Sequence, residues 1–173
     1  MKSKIYITGA AGFIGFHTAK KFLNKGIKVH GFDSINDYYD VNLKRSRLNI
    51  LRKYKNFSFT KGLLEKQKLL SHSILKFKPT IIIHLAAQAG VRYSIDNPDI
   101  YLNSNILGTF NVIKIANKIR VKHLIIGSSS SVYGANKKIP FQEIDKTDHQ
   151  VSFYAATKKS TESLAHSYSS LWG

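Results

Sequence analysis

Short apolar runs alternate along the chain with longer segments whose apolar residues recur every three or four positions. Residues 4–8 read as a first strand, and residues 13–24 as a helix with Ile14, Thr18 and Phe22 on one face, closed by Gly26. A second strand covers residues 29–32 and ends at Asp33. Residues 34–40 form a polar, Tyr-rich loop, and residues 43–54 a basic helix with Leu43, Leu48 and Leu51 as its apolar positions. A third strand follows at 57–60, then a helix at 66–77 carrying Leu69, Leu70, Ile74 and Phe77. Residues 81–85 give the strongest strand signal, because a parallel strand covered on both faces reads as unbroken β-branched residues. A long helix is predicted from about Pro98, a good first-turn residue, to about Lys118. A fifth strand at 124–126 and a last helix at 152–171 complete the pattern. Strands alternating with helices predict βαβ units on a parallel sheet, the α/β class, in one domain over 1–173.

Composition narrows this picture little, but it excludes several classes. Hydrophobic residues make up 43% of the 173, enough for a core and too many for wholesale disorder. No apolar run reaches the ~18 residues needed to span a bilayer, and the N-terminal segment has no signal-peptide pattern. Cysteine is absent, which excludes disulfide scaffolds and Cys-based zinc sites, and no metal is expected. The expected compartment is the cytoplasm, with no membrane partner. The formal charge of +17, from 27 Lys and Arg against 10 acids, would suit a nucleic-acid binder. Yet the basic residues are scattered and lysine far outnumbers arginine, as an AT-rich coding sequence would produce, so no nucleic-acid partner is expected.

Three motifs carry chemistry. Thr8-Gly9-Ala10-Ala11-Gly12-Phe13-Ile14-Gly15 sits where the first strand meets the first helix. Gly9 suits a tight turn, Gly12 close approach to a pyrophosphate, and Gly15 helix–strand packing, with the helix N-terminus facing the phosphates. Asp33, at the end of the second strand, suits ribose hydroxyls and favours NAD over NADP, because a carboxylate repels a 2′-phosphate. Tyr154 and Lys158 stand one helical turn apart on one face. A nearby ammonium stabilises a phenolate, which makes tyrosine a usable base near neutral pH. The run Gly127-Ser128-Ser129-Ser130-Ser131-Val132-Tyr133-Gly134 follows the fifth strand, at the end of the sheet where doubly wound folds bind ligands.

With the segment His84-Leu85-Ala86-Ala87-Gln88-Ala89-Gly90-Val91-Arg92 between them, these motifs in this order resemble the extended short-chain dehydrogenases, within them the NAD-dependent sugar-nucleotide epimerases and dehydratases. Asn36-Asp37-Tyr38-Tyr39-Asp40-Val41-Asn42-Leu43 and the stretch from Ala86 to Ser94 are similar to the UDP-glucuronate 4-epimerases. The resemblance covers essentially the whole chain. It implies a Rossmann-type doubly wound parallel sheet in the order 3-2-1-4-5. Gly9, Gly12, Phe13, Ile14 and Gly15 would then hold the pyrophosphate of NAD, and Asp33 its adenosine ribose. Leu85, Ala86, Ala87 and Gln88 would line the other half of the cofactor, supported by Ser104 or Asn105. Tyr154 would be the base and Lys158 its partner and anchor for the nicotinamide ribose. Ser129, with Ser130 as the runner-up, would bind the reacting hydroxyl. Arg92 is expected to meet a substrate carboxylate or phosphate, the alternative being a solvated arginine.

Two departures bear on these expectations. Relatives usually carry an Asp that accepts from adenine where this chain has Leu63, a loss of ~1 kcal/mol for one hydrogen bond. Such enzymes also run to roughly twice this length, so the expectation is an incomplete sheet that lacks its last strands and the C-terminal substrate domain. The implied activity is 4-epimerisation of a UDP-sugar, UDP-glucuronate to UDP-galacturonate, in polysaccharide biosynthesis, by full-length proteins that pair as homodimers. A dehydratase or decarboxylase is the alternative of the same fold. It is disfavoured because Ser130 and Ser131 stand where dehydratases carry acids. The alternative of another class is a truncated gene product, and the chain alone is expected to be inactive.

Overall fold

The computed structural model describes residues 3–173; Met1 and Lys2 lie outside the described residues. Five parallel strands form the sheet: β1 (Lys4–Thr8), β2 (Lys28–Asp33), β3 (Phe57–Lys61), β4 (Ile81–His84) and β5 (His123–Ile126). Their order is β3-β2-β1-β4-β5, as expected for the Rossmann-type doubly wound sheet. Side chains alternate across it. Ile5, Ile7, Val29 and Ile83 face α1 (Phe13–Asn24) and α2 (Val41–Arg52). Tyr6, Phe32 and Ile82 face the other way, onto α3 (Gln67–Phe77) and a later helix. In register, Thr8 of β1 lies opposite Phe32 of β2 on one side and His84 of β4 on the other. Chains leave β1 in opposite directions across the sheet, so a crevice opens at its carboxyl end.

Several helix faces differ from the pattern-based reading. On α1 the core takes Gly15, Phe16, Ala19 and Leu23, whereas Ile14 is 63% exposed and Thr18 and Phe22 are half-buried. Gly15 and Ala19 let helix and sheet meet closely there, and Phe16 and Leu23 fill the space beside them. On α2, Leu48 and Leu51 are buried as expected, but Leu43 is exposed and Lys44 is buried in its place. That helix starts at Val41, before the expected residue 43, because Asp40 caps it: its side chain accepts from Asn42 N at 2.8 Å. On α3, Leu70 and Ile74 are buried and Leu69 is exposed.

The long helix predicted from Pro98 is segmented. After α4 (Tyr93–Asp96), α5 (Pro98–Tyr101) passes into π-helical turns (Leu102–Leu107) and then into α6 (Gly108–Lys118). The wider turns put Asn105 wholly inside, and such irregular turns are frequent at functional sites. The last helix, α7 (Phe153–Trp172), starts where Ser152 Oγ accepts from Ala155 N at 3.0 Å. Strand β5 pairs with β4 alone among the described residues, which leaves one sheet edge open.

Candidate cofactor and catalytic cleft

The turn after β1 lets backbone approach backbone. Gly9 has φ +72°, and a Cβ there would lie 2.8 Å from Ala86 N. A Cβ on Gly15 would lie 2.0 Å from the carbonyl oxygen of Gly9, so any side chain there would force α1 off the loop. Asp33 closes the other side of this turn. Its Oδ2 accepts from Ala11 N at 3.0 Å and its Oδ1 from Ile35 N at 2.9 Å. Each oxygen keeps a lone pair for a further donor.

Above these residues lies a cleft of about 540 Å³. It is lined by Gly9, Gly12, Phe13, Ile14, Gly15, Asp33, Leu85, Ala86, Ala87, Gln88, Ser104, Tyr154 and Lys158, thirteen of the positions singled out from the sequence. Its floor is fixed by a buried relay. Thr8 Oγ1 accepts from Leu85 N and Ala86 N, both at 3.1 Å. With both lone pairs used, its hydrogen goes to His84 Nδ1 at 2.6 Å, which makes Nε2 the protonated nitrogen that donates to Thr109 Oγ1 at 2.9 Å. Burial, then the Lys158 charge, push the His84 pKa down to about 3, so the ring stays neutral.

Tyr154 and Lys158 come from the first turns of α7. The Tyr154 amide donates to Ser94 Oγ at 3.1 Å, and its ring meets Tyr101 edge-on at 6.1 Å. Lys158 is almost wholly buried, and its ammonium donates to the Gly127 carbonyl at 2.6 Å. Burial pulls its pKa down and Glu162 acts against that shift. The carbonyl at the end of β5 thus fixes the ammonium beside the cleft.

Four expected site residues stand elsewhere. Asn105 lies behind the wall, not in it: its Oδ1 accepts from Gln88 N at 2.7 Å, and its Nδ2 donates to Gln88 O and Thr157 Oγ1, both at 3.1 Å. Ser129 caps a single 3₁₀ turn (Ser130–Tyr133) by accepting from Ser131 N at 3.2 Å, and Ser130 is exposed. Neither lines the cleft; of that run Gly127 and Ser128 do, and the Ser128 hydroxyl donates to Glu162 Oε1 at 2.5 Å. The chain turns away immediately after it. Arg92 is exposed at the start of α4 and outside the cleft lining.

The cleft also has walls that motif reading passed over: Asn36, Tyr38 and Tyr39 from the loop after β2, Lys44 from α2, and Glu65 beside Leu63. The Tyr-rich loop was a visible signal. Lys44 was hidden among the other cations of a basic helix.

Comparison with known proteins agrees with this geometry. Residues 6–173 match the family model described as GDP-mannose 4,6 dehydratase. Protein CapI of Staphylococcus aureus is 52% identical over 169 residues, which cover 98% of this chain and 50% of CapI. UDP-glucuronate 4-epimerase 4 of Arabidopsis thaliana is 44% identical over 170 residues, 98% of this chain and 39% of that protein. Among solved structures, the UDP-glucuronic acid 4-epimerase of Bacillus cereus, in complex with UDP-glucuronic acid and NAD, superposes with a TM-score of 0.89 at 32% identity over 98% of this chain and 53% of its own. The chain therefore spans about half the length of such relatives, or less. With its strand order, glycine loop and Tyr154–Lys158 pair in one cleft, the chain belongs to the NAD-dependent epimerase/dehydratase family.

Proposed function

We propose that this chain forms the cofactor-binding and catalytic part of an NAD-dependent 4-epimerase of UDP-sugars, with UDP-glucuronate as the first substrate to test. One observation carries the reading: Tyr154 and Lys158 line the same cleft as the glycine loop and Asp33. The cradle fits a dinucleotide, because side chains at Gly9 and Gly15 would collide with backbone and Asp33 keeps lone pairs for ribose hydroxyls. Gly9, Gly12, Phe13, Ile14 and Gly15 would hold the diphosphate, Asp33 the adenosine ribose, Leu85 to Gln88 the other half, and Lys158 the nicotinamide ribose. When bound, NAD supplies reversible acceptance of hydride from C4 of the sugar.

Tyr154, held as a phenolate by the Lys158 charge, takes the proton of the C4 hydroxyl on Oη and becomes a neutral phenol. Tyr154 returns the proton after the 4-keto sugar has turned over, which gives the epimer. Ser128, which lines the cleft, stands beside Ser129 as a candidate to hold the reacting oxygen. A 4,6-dehydratase needs further acid–base groups beside Tyr154. The carboxylates that line this cleft are Asp33, the last residue of β2, and Glu65, four residues after the end of β3, away from α7 in the chain. That distribution favours the epimerase.

The test joins residues 1–173 to the second half of the Bacillus cereus enzyme and follows UDP-glucuronate conversion with NAD. Conversion is expected, with loss on Tyr154→Phe while NAD affinity is kept. Equal turnover by the Tyr154→Phe protein would assign the base elsewhere, and 4,6-dehydration products would favour the other reaction.

A further inference from the structure

Lys44 is 3% exposed, yet it lines the cleft. A buried ammonium is expensive without a counter-charge. Among the described residues the ion pairs are Lys138–Asp145 and Lys159–Glu162, so no carboxylate lies within 4 Å of Lys44. Two of its three hydrogens are directed by Asn36, which offers both its backbone carbonyl at 2.7 Å and its side-chain oxygen. Burial lowers its pKa, and Asp33 and Asp37 act against that shift from farther off. Its Nζ sits 4.2 Å from the ring centroid of Tyr39. The Tyr39 hydroxyl in turn reaches over the glycine loop: a Cβ on Gly12 would lie 3.7 Å from it. A desolvated cation and a phenol thus stand beside the uncapped start of α1.

We propose that Lys44, steered by Asn36 and flanked by Tyr39, is a phosphate-binding residue of the cleft, whose ligand is the diphosphate bridge of the dinucleotide. The proposal rests on the cofactor reading above. The chemistry is that of an anion satisfying the third ammonium hydrogen of Lys44 while the Tyr39 hydroxyl donates to a second oxygen. A 2′-phosphate offers the same chemistry, but Asp33 holds the ribose end negative, so the diphosphate is the better match.

Calorimetric titration of the chain with NAD, NADP, ADP and adenosine tests this, on the parent, Lys44→Met and Tyr39→Phe. Parent binding of NAD and ADP is expected, and binding of neither by the parent would overturn the cofactor reading and this one with it. Lys44→Met is expected to weaken NAD and ADP about tenfold or more and to leave adenosine within twofold, because a lost charge-assisted bond is worth at least that factor. Tyr39→Phe is expected to weaken the same two ligands severalfold, and it keeps the test decisive should Lys44→Met not fold. Loss confined to NADP would overturn the diphosphate assignment. Equal loss for adenosine would show a role in shaping the pocket only, and unchanged NAD affinity in a folded Lys44→Met chain would overturn the proposal while leaving the cofactor reading intact.

Discussion

Asn105 is the sharpest place to perturb the site without touching its ligands. Three hydrogen bonds converge on it: one from Gln88 N, one to Gln88 O and one to Thr157 Oγ1. Asn105→Ala leaves a buried N–H and a buried carbonyl without partners; the Thr157 hydroxyl keeps its bond to Tyr154 O at 2.8 Å. At ~1–3 kcal/mol per orphaned group, the loss is about 3 kcal/mol. For a chain of this size that corresponds to a fall in Tm of roughly 6–12 °C. Asn105→Asp separates packing from hydrogen bonding. It keeps the acceptor for Gln88 N but sets a second carboxylate oxygen against the Gln88 carbonyl. Burial holds such a carboxyl's pKa up, so its ionisation costs stability at pH 7 and not at pH 5, where protonation restores a donor. Thermal unfolding by circular dichroism, read as the difference from the parent at each pH, measures both variants. NAD affinity should fall with stability, since Gln88 is a cleft wall. A fall in Tm below ~2 °C for Asn105→Ala would refute the accounting, as would an Asp variant whose deficit is the same at pH 5 and 7.

Other expectations follow from the same structure. His30 is buried in a hydroxyl cluster of Ser58, Thr60 and Ser73, and burial, then the Lys76 charge, lower its pKa to about 4; that of His84 falls to about 3. Both are neutral when folded and protonate more readily when unfolded, so stability is complete above pH ~6.5 and falls below it, by about 2 kcal/mol for each at pH 5. Urea midpoints at pH 7 and 5 check this, and a flat profile would show that neither ring is shielded. Leu63→Asp should tighten NAD binding up to about tenfold, measured by titration; no gain would place adenine away from Leu63. Tyr154→Phe should abolish epimerisation by a complete protein and leave NAD affinity within about twofold; comparable kcat in both forms would assign the proton transfer to another group. The open edge of β5, where Ile125 is 44% exposed, should make the isolated chain associate, more so at high salt, where the charge of +17 is screened. A monomer at every salt concentration by light scattering would refute this.

The sequence carried the sheet and the glycine loop because both are written locally. An unbroken Ile81-Ile82-Ile83 can sit only where both faces are covered, and the 4–8 segment runs directly into a turn that demands glycine. Helix faces were less legible. Helical spacing puts Ile14, Thr18 and Phe22 on one face of α1, but the close helix–sheet contact buries Gly15 and Ala19 and leaves Ile14 exposed. The serine run shows the other limit. Its place after β5 was readable, whereas which serine lines the cleft depends on a 3₁₀ turn that Ser129 itself caps. Nor does any spacing announce the π-helical turns that carry Asn105 inside.

Motif reading also divides the site into separate stations, and the structure joins them. Lys44 bonds to Asn36, and Asn36 Nδ2 donates to Gln88 Oε1 at 3.3 Å across the mouth between the two halves of the sheet. The backbone of Gln88 is held by Asn105, Asn105 by Thr157, and Thr157 by the carbonyl of Tyr154. A polar chain therefore runs from the cationic wall on α2 to the first turn of α7, through residues whose buried side-chain polar atoms are all satisfied. Satisfied buried networks fix geometry, because any displacement orphans a member. The proposed proton transfer needs Tyr154 placed to within a fraction of an ångström of its target. The loop after β2 and the π-helical turns thus serve one end: they tie the position of Tyr154 to the walls of the cleft.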